Sequence, residues 1–195
     1  MNEYVIRPQE CMLLVIDIQR KLYDAMDKEF RGVFLKNSAI LLEVAKVFDI
    51  PILVSEQYPQ GLGKTLDEID SILEETPRFE KMYFSCMKDR GLRSEFEKNA
   101  GKTVIVIGIE THVCVYQTVL DLLSAGYRTV VISDAVCSRR SHDRLTALAA
   151  LEHAGALIVS TETLAFMFLE KAGTDQFKKL APLFKENNFL TDSSY

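Results

Sequence analysis

The stretch "KTVIVIGIETHVCVYQTVLDLLSAG" at residues 102–126 decides the fold class. Residues 102–109 are mostly apolar and β-branched, which is typical of a strand buried on both faces of a sheet. Residues 112–126 predict a helix that ends at Gly126, because glycine commonly follows the last helical turn. A buried strand that leads into a helix is the repeating unit of α/β proteins with a parallel sheet.

The same alternation of strand and helix runs along the whole chain. The predicted strands cover residues 11–19, 50–55, 80–85, 102–109, 127–136 and 156–161. The predicted helices cover residues 34–49, 66–75, 92–100, 112–126, 141–155 (with Ser141 as N-cap) and 163–173, with a weak helix in 174–188. A long loop with a proline and two glycines is predicted to follow the second strand.

This pattern predicts a three-layer α/β/α fold of the Rossmann-like kind. We expect one open, mainly parallel sheet of about six strands with helices on both faces. The length of 195 residues fits a single domain spanning 1–195.

Net charge and the length of the apolar runs argue against nucleic-acid and membrane partners. The formal net charge is −5, which argues against a nucleic-acid partner, since phosphate binding needs a surplus of Lys and Arg. The apolar runs are strand-length and far too short to span a bilayer, and residues 1–10 lack the apolar core of a signal peptide. We therefore expect a cytoplasmic protein that binds no membrane.

The four cysteines show no paired spacing typical of zinc sites or redox motifs. In a reducing compartment they are expected to be free thiols. They are Cys11, Cys86, Cys114 and Cys137.

Three chemically complementary side chains follow or end predicted strands. Asp17 lies at the end of the first strand, Lys81 in the third, and Cys114 just after the fourth. Ligands of open α/β folds bind beyond the carboxyl ends of the strands. The three residues are therefore candidates for one site.

Each of the three also has a purely structural interpretation. Cys114 at the start of a helix is expected to have a lowered pKa, but a free cysteine is often an inert, buried small hydrophobe. Asp17 is a candidate general base, and equally a carboxylate that caps a loop. Lys81 would hold Asp17 charged, unless its head group simply reaches out to water.

Taken together, the motifs resemble the isochorismatase-like cysteine hydrolase superfamily over nearly the whole chain. The segments that carry the resemblance are "VIDIQ" with Asp17, "EKMYFS" with Lys81, "GIETHVCV" with Cys114, and "SDAVCSR" after the fifth strand. "SEQYPQGLGKT" with "ETHVCVYQT" is most similar to the isochorismatase domain-containing protein subgroup.

The resemblance implies a role for each residue. Cys114 would be the nucleophile, Asp17 the general base, and Lys81 the residue that supports both. It also implies a cis peptide bond at Ile109–Glu110 and an oxyanion hole made by the backbone N–H groups of Glu110 and Cys114. A homo-oligomer, dimeric or larger, is expected on the same ground.

Departures from other branches of the family limit the substrate. Nicotinamidases carry metal-binding histidines after the second strand, where this chain has none, so we expect no metal and no cofactor. True isochorismatases often lack the cysteine, which here favours acyl chemistry. A small-molecule pocket is predicted to be lined by Leu22, Tyr23, Gln57, Tyr58, Phe84 and His112.

The leading hypothesis is a cysteine hydrolase that cleaves an amide or related C–N bond of a small molecule through a Cys114 thioester. One alternative is a catalytically silent member of the family that binds a partner. Another is a thiol-redox protein, although no CxxC partner accompanies Cys114.

Overall fold

The computed structural model describes residues 5–99 and 101–185. Its strands form one six-stranded sheet in the order β3-β2-β1-β4-β5-β6, and every neighbouring pair is parallel. The strands are β1 Cys11–Ile16, β2 Ile52–Gln57, β3 Arg78–Lys81, β4 Thr103–Ile109, β5 Thr129–Cys137 and β6 Leu157–Val159.

Helices cover both faces of this sheet. They are α1 Arg20–Asp24, α2 Arg31–Val47, α3 Pro59–Leu62, α4 Asp67–Leu73, α5 Arg90–Lys98, α6 Tyr116–Ser124, α7 Ser141–His153, α8 Thr161–Leu169 and α9 Asp175–Lys185. The three-layer α/β/α architecture predicted from the sequence is confirmed. No helix among the described residues is both long and apolar enough to span a membrane.

Alternate residues of β1 divide the core into two layers. Leu13 and Val15 pack with α2, α4, α8 and α9 on one face of the sheet. Met12, Leu14 and Ile16 pack with α5, α6 and α7 on the other. Side chains of a strand point alternately to its two faces, so a central strand covered on both sides must be apolar at every position.

Several predicted boundaries are wrong at the strand and helix ends. The first strand stops at Ile16 because Asp17 adopts a positive φ of 53°. The third strand covers 78–81 rather than 80–85, and the predicted loop after β2 contains the short helix α3. Ser141 is the first residue of α7, not its N-cap.

The helices at both ends of the sequence also differ from the prediction. The short helix α1 was not predicted. The tail helix covers 175–185, so residue 174 precedes it. Residues 186–188 of its predicted range lie outside the described residues, as does residue 100 of the helix predicted at 92–100.

The sheet has its topological switch point between β1 and β4. From these two central strands the chain winds outward to β3 on one side and to β6 on the other. Gly108 of β4 has a φ of 127°, and a Cβ there would overlap the backbone of Ile16. Only glycine allows β4 to approach β1 so closely, at the point where ligands of such folds bind.

Candidate active site

Asp17 is fixed at the carboxyl end of β1 with its side chain buried. It leaves the strand in a left-handed conformation and is 0% exposed. The Ser55 hydroxyl on β2 donates to its Oδ1 atom at 2.7 Å. Lys81 at the end of β3 donates to its Oδ2 atom at 2.7 Å. Each carboxylate oxygen is thus held from a different strand.

Lys81 is held completely inside the protein. Its Nζ atom donates to Asp17, to Gln57 Oε1 at 2.7 Å and to the Phe84 carbonyl at 3.1 Å. An ammonium has three protons, so every donor has its acceptor. The side chain is 0% exposed, so the interpretation in which its head group reaches water is wrong.

The buried pair keeps the Lys81 ammonium charged. Burial by itself would lower the pKa of Lys81, but the charge of Asp17, together with the neighbouring thiols, outweighs it and raises the pKa above its ordinary value. A negative charge in buried contact with an ammonium favours the ionised form of that ammonium.

Cys114 lies in the first turn after β4, where residues Thr111–Val115 form a π-helical turn that continues into α6. The thiol is 5% exposed and faces the Asp17 carboxylate. Burial raises the pKa of the Cys114 thiol well above its ordinary value, and the Asp17 carboxylate raises it further. The lowered pKa expected at a helix start is therefore wrong, because desolvation and a facing carboxylate outweigh the lowering effect of Lys81.

The turn before Cys114 is held by backbone bonds and by one ion pair. The Ile109–Glu110 peptide bond is cis, at the position that the family resemblance implies. The N–H groups of Val113 and Val115 both donate to the Glu110 carbonyl.

The Glu110 side chain bonds to Arg139. Its Oε2 atom accepts from the backbone N–H and the Nε atom of Arg139, at 3.2 and 2.9 Å. The carboxylate therefore ties the turn to the segment between β5 and α7.

Of the six predicted pocket residues, five are half-buried or exposed and one, Gln57, is buried. Leu22 and Tyr23 on α1 are half-buried against the core. Tyr58 and Phe84 are exposed. The Nδ1 atom of His112 is 3.0 Å from the Ser138 hydroxyl.

Gln57 differs from the others because both ends of its amide are already bonded. Its Oε1 atom accepts from Lys81, and its Nε2 atom donates to the Met82 carbonyl at 2.9 Å. The side chain therefore holds Lys81 in place.

A surface cleft of about 550 Å³ adjoins the end of β3. It is lined by Tyr58, Pro59, Gln60, Glu80, Lys81, Met82, Tyr83 and Asp89. Of the three candidate catalytic residues, Lys81 borders this cleft, whereas Asp17 and Cys114 do not belong to its lining.

Ser55 and Cys86 are site residues that the sequence analysis missed. Cys86 follows β3, is fully buried, and its Sγ atom donates to Ser55 Oγ at 3.6 Å. Burial raises the pKa of Cys86 to about 11. The spacing of Ser55 and Gln57, two residues apart on β2, was a usable signal because such residues share one face of a strand.

No cluster of three or more His, Cys, Asp or Glu side chains within residues 5–99 and 101–185 is arranged to hold a metal ion. The charged atoms that surround Cys114 come from Asp17 and Lys81.

Comparison with known proteins identifies the family of the chain. The isochorismatase domain model matches residues 11–163. The secreted isochorismatase effector Isc1 of Phytophthora sojae is 36% identical over 192 residues, covering 92% of this chain and 87% of the relative. Isochorismatase domain-containing protein 2 of Rattus norvegicus is 35% identical over 182 residues, covering 93% and 84%.

A solved structure agrees with these matches. The MAR1 ribonuclease of Caenorhabditis elegans superposes with a TM-score of 0.83 at 34% identity, covering 97% of this chain and 94% of that one.

Proposed function

Because the chain belongs to the isochorismatase family, we propose that it is a cysteine hydrolase acting on an amide or related C–N bond of a small molecule. The observation that carries the proposal is the buried contact of Lys81 and Asp17 at 2.7 Å, with the Cys114 thiol facing the same carboxylate. A nucleophile, a base and a charge that orients the base are thereby joined.

The reaction would begin with proton transfer from Cys114 to Asp17. The pKa of the Cys114 thiol is raised by burial and by Asp17, so the resting thiol is protonated and needs a base in contact with it. The thiolate then attacks the substrate carbonyl carbon. Lys81 stabilises the thiolate, since a positive charge nearby favours the ionised sulfur.

The developing oxyanion would be held by the backbone N–H groups of Glu110 and Cys114. Backbone N–H groups at the start of a helix can lack an acceptor within the helix. In the turn that contains Cys114, the Glu110 carbonyl accepts from Val113 and Val115 and not from Cys114. Fixed donors aimed at a developing charge stabilise the transition state without reorganising.

The second half of the reaction would return the proton. Asp17 protonates the departing nitrogen as the C–N bond breaks, leaving the acyl group on Cys114 as a thioester. Asp17 then accepts a proton from water, whose oxygen attacks the thioester carbonyl, and Cys114 is released with a proton. Atoms and charge balance, and the overall reaction is hydrolysis.

The entrance to this site is proposed to use Leu22, Tyr23, Tyr58, Phe84 and His112 for substrate contact. The exposed aromatic rings of Tyr58 and Phe84 supply apolar surface around the chemistry. The amide of Gln57, being bonded at both ends, supports Lys81 rather than the substrate.

The name of the Caenorhabditis elegans neighbour raises RNA as another substrate class. Two features of this chain count against RNA. Lys81 has no donor left for a phosphate, and the formal net charge is −5. Phosphate recognition depends on free cationic groups.

The thiol-redox alternative is disfavoured by the state of the cysteines. Sensor cysteines are exposed and have a lowered pKa. Cys114 is buried and its pKa is raised.

The cytoplasmic location and the homo-oligomer stay predictions. Cell fractionation would measure the location, and light scattering of the purified chain would measure the oligomeric state.

The test is a hydrolysis screen of small amides and ureides against the wild type and Cys114→Ala. Nicotinamide, isochorismate and a short RNA are included to check the other branches. We expect Cys114→Ala to abolish turnover with unchanged circular dichroism, and Cys137→Ala, which changes another buried free thiol, to retain it.

Undiminished hydrolysis by Cys114→Ala would refute the mechanism. Hydrolysis that is lost when iodoacetamide modifies Cys114 would exclude the catalytically silent alternative.

A further inference from the structure

We infer that Ser55 is a positioning residue for the base: its hydroxyl fixes the Asp17 carboxylate toward Cys114 and stays bonded to it through the proton cycle. The inference rests on the proposed function and adds a fourth side chain to it. Ser55 lies on β2 and is 0% exposed, so its hydroxyl is directed by the protein alone.

The Ser55 hydroxyl helps to fix the orientation of the Asp17 carboxylate. Rotation of a carboxylate about its last torsion is broad and roughly two-fold, so one donor leaves the group free to turn. Lys81 holds Oδ2 and Ser55 holds Oδ1, each at 2.7 Å. Two donors on two oxygens define the plane of the carboxylate that the Cys114 thiol faces.

The Ser55 hydroxyl can also stay bonded to Asp17 when Asp17 takes the Cys114 proton. A hydroxyl both donates and accepts, whereas an ammonium can only donate. Ser55 can therefore donate to ionised Asp17 and accept from the neutral acid that forms when Asp17 takes the Cys114 proton. Lys81 has no way to accept, and its other two protons are committed to Gln57 and Phe84.

Cys86 completes the chain behind Ser55. Its thiol donates to Ser55 Oγ at 3.6 Å, so the serine accepts from one side while it donates to Asp17 on the other. When Ser55 reverses, the sulfur becomes a weak acceptor for the serine proton. Burial raises the pKa of Cys86 to about 11, so the thiol stays neutral at physiological pH.

The strand β2 supplies both supports from alternate positions. Ser55 holds Asp17, and Gln57 holds Lys81. Residues two positions apart on a strand point to the same face of the sheet. β2 thus lies between the two charged residues and sets the distance between them.

The experiment measures alkylation of Cys114 by iodoacetamide across pH, by mass spectrometry of the Cys114 peptide. The titrating groups that face this thiol are Asp17, Lys81 and Cys86. In Ser55→Val the hydroxyl dipole no longer offsets the Asp17 charge, so that charge raises the pKa of the Cys114 thiol further. We expect the alkylation midpoint to rise by about one pH unit.

The matched variant is Ser55→Thr, which has the shape of valine and keeps the hydroxyl. Its midpoint should match the wild type, as should that of Ser38→Ala, which removes a buried serine hydroxyl bonded to the Phe34 carbonyl. With a substrate in hand, Ser55→Val should lower kcat about tenfold or more with KM little changed.

An unshifted midpoint in Ser55→Val would overturn the inference, as would an equal shift in Ser55→Thr, which would indicate packing alone. If Ser55→Val does not fold, Ser55→Ala replaces it in the same comparison. Alkylation needs no substrate, so failure of the hydrolysis screen and failure of the Ser55 role are read separately.

Discussion

The two halves of the sheet contribute to the site in different ways. The half formed by β1, β2 and β3 supplies side chains that carry charge or direct it, from Asp17 to Lys81. The half that starts with β4 supplies the nucleophile and the backbone geometry of the turn that bears it. One half is held by buried electrostatics and the other by close approach of main chains.

The difference teaches which kind of change each half tolerates. Breaking a buried charge pair leaves an uncompensated charge in a low-dielectric interior, which is costly. Changing a tightly approached backbone forces atoms apart, whatever the chemistry of the new side chain. Four variants separate these two kinds of damage.

The largest effect is expected for Lys81→Met. The apolar side chain leaves Asp17 buried with Ser55 as its remaining donor, which should lower the free energy of unfolding by about 3–5 kcal/mol and abolish turnover. Chemical denaturation measures the loss. Asp17→Asn combined with Lys81→Met should recover much of the stability, because neither charge remains.

The control for that comparison is Lys98→Met. Lys98 pairs with Glu95 at 2.6 Å but is 64% exposed, so its loss should cost less than about 1 kcal/mol. Equal losses at the two lysines would contradict the importance of burial.

Next in size is Gly108→Ala in the other half. A methyl group would overlap Ile16 at a φ of 127°, and we expect a loss of roughly 3 kcal/mol. Gly155 has a comparable φ of 105° but open space around the Cβ position. The loss of stability in Gly155→Ala should therefore come from backbone strain alone. Thermal unfolding that ranks the two variants equally would rule out the steric argument.

Asp17→Asn should separate thiol titration from catalysis. The pKa of the Cys114 thiol is raised by burial and then by the Asp17 charge. Removing the charge removes the second cause, so the pKa should fall and Cys114 should be alkylated at lower pH than in the wild type. Turnover should nevertheless be lost, because no base remains.

Asp134→Asn serves as the control, since that carboxylate accepts from Thr161 at the start of α8. Its alkylation profile should follow the wild type. An upward shift in Asp17→Asn would show that the carboxylate does not govern the thiol.

The smallest effect is expected for Glu110→Gln. Arg139, its ion-pair partner, is 59% exposed, so the pair should contribute less than about 1 kcal/mol. The amide oxygen of glutamine can still accept from Arg139, and kcat should be unchanged. A large fall in kcat would mean that the Glu110 side chain acts in the chemistry.

Much of the fold could be read from the sequence because continuous apolar strands and helix-ending glycines are local signals. The ends of β1 and β3 were misplaced because tertiary contacts decide them: Asp17 turns out of the strand to meet Lys81. The three catalytic residues were predicted from position and resemblance, and the structure brings Asp17 and Lys81 into contact. Ser55 was missed because no local sequence pattern distinguishes it from other serines in strands. Its partner, Asp17, is 38 residues away in the sequence.

The amino-acid sequence by itself determined the alternation of elements, the parallel sheet and the set of residues available at the strand ends, since these follow from local periodicity and chain order. Tertiary structure alone decided that the Lys81 ammonium is fully enclosed and that the pKa of Cys114 is raised rather than lowered. Both depend on burial and on the distances between charges that are far apart in sequence. Neither quantity has a local signature in the chain.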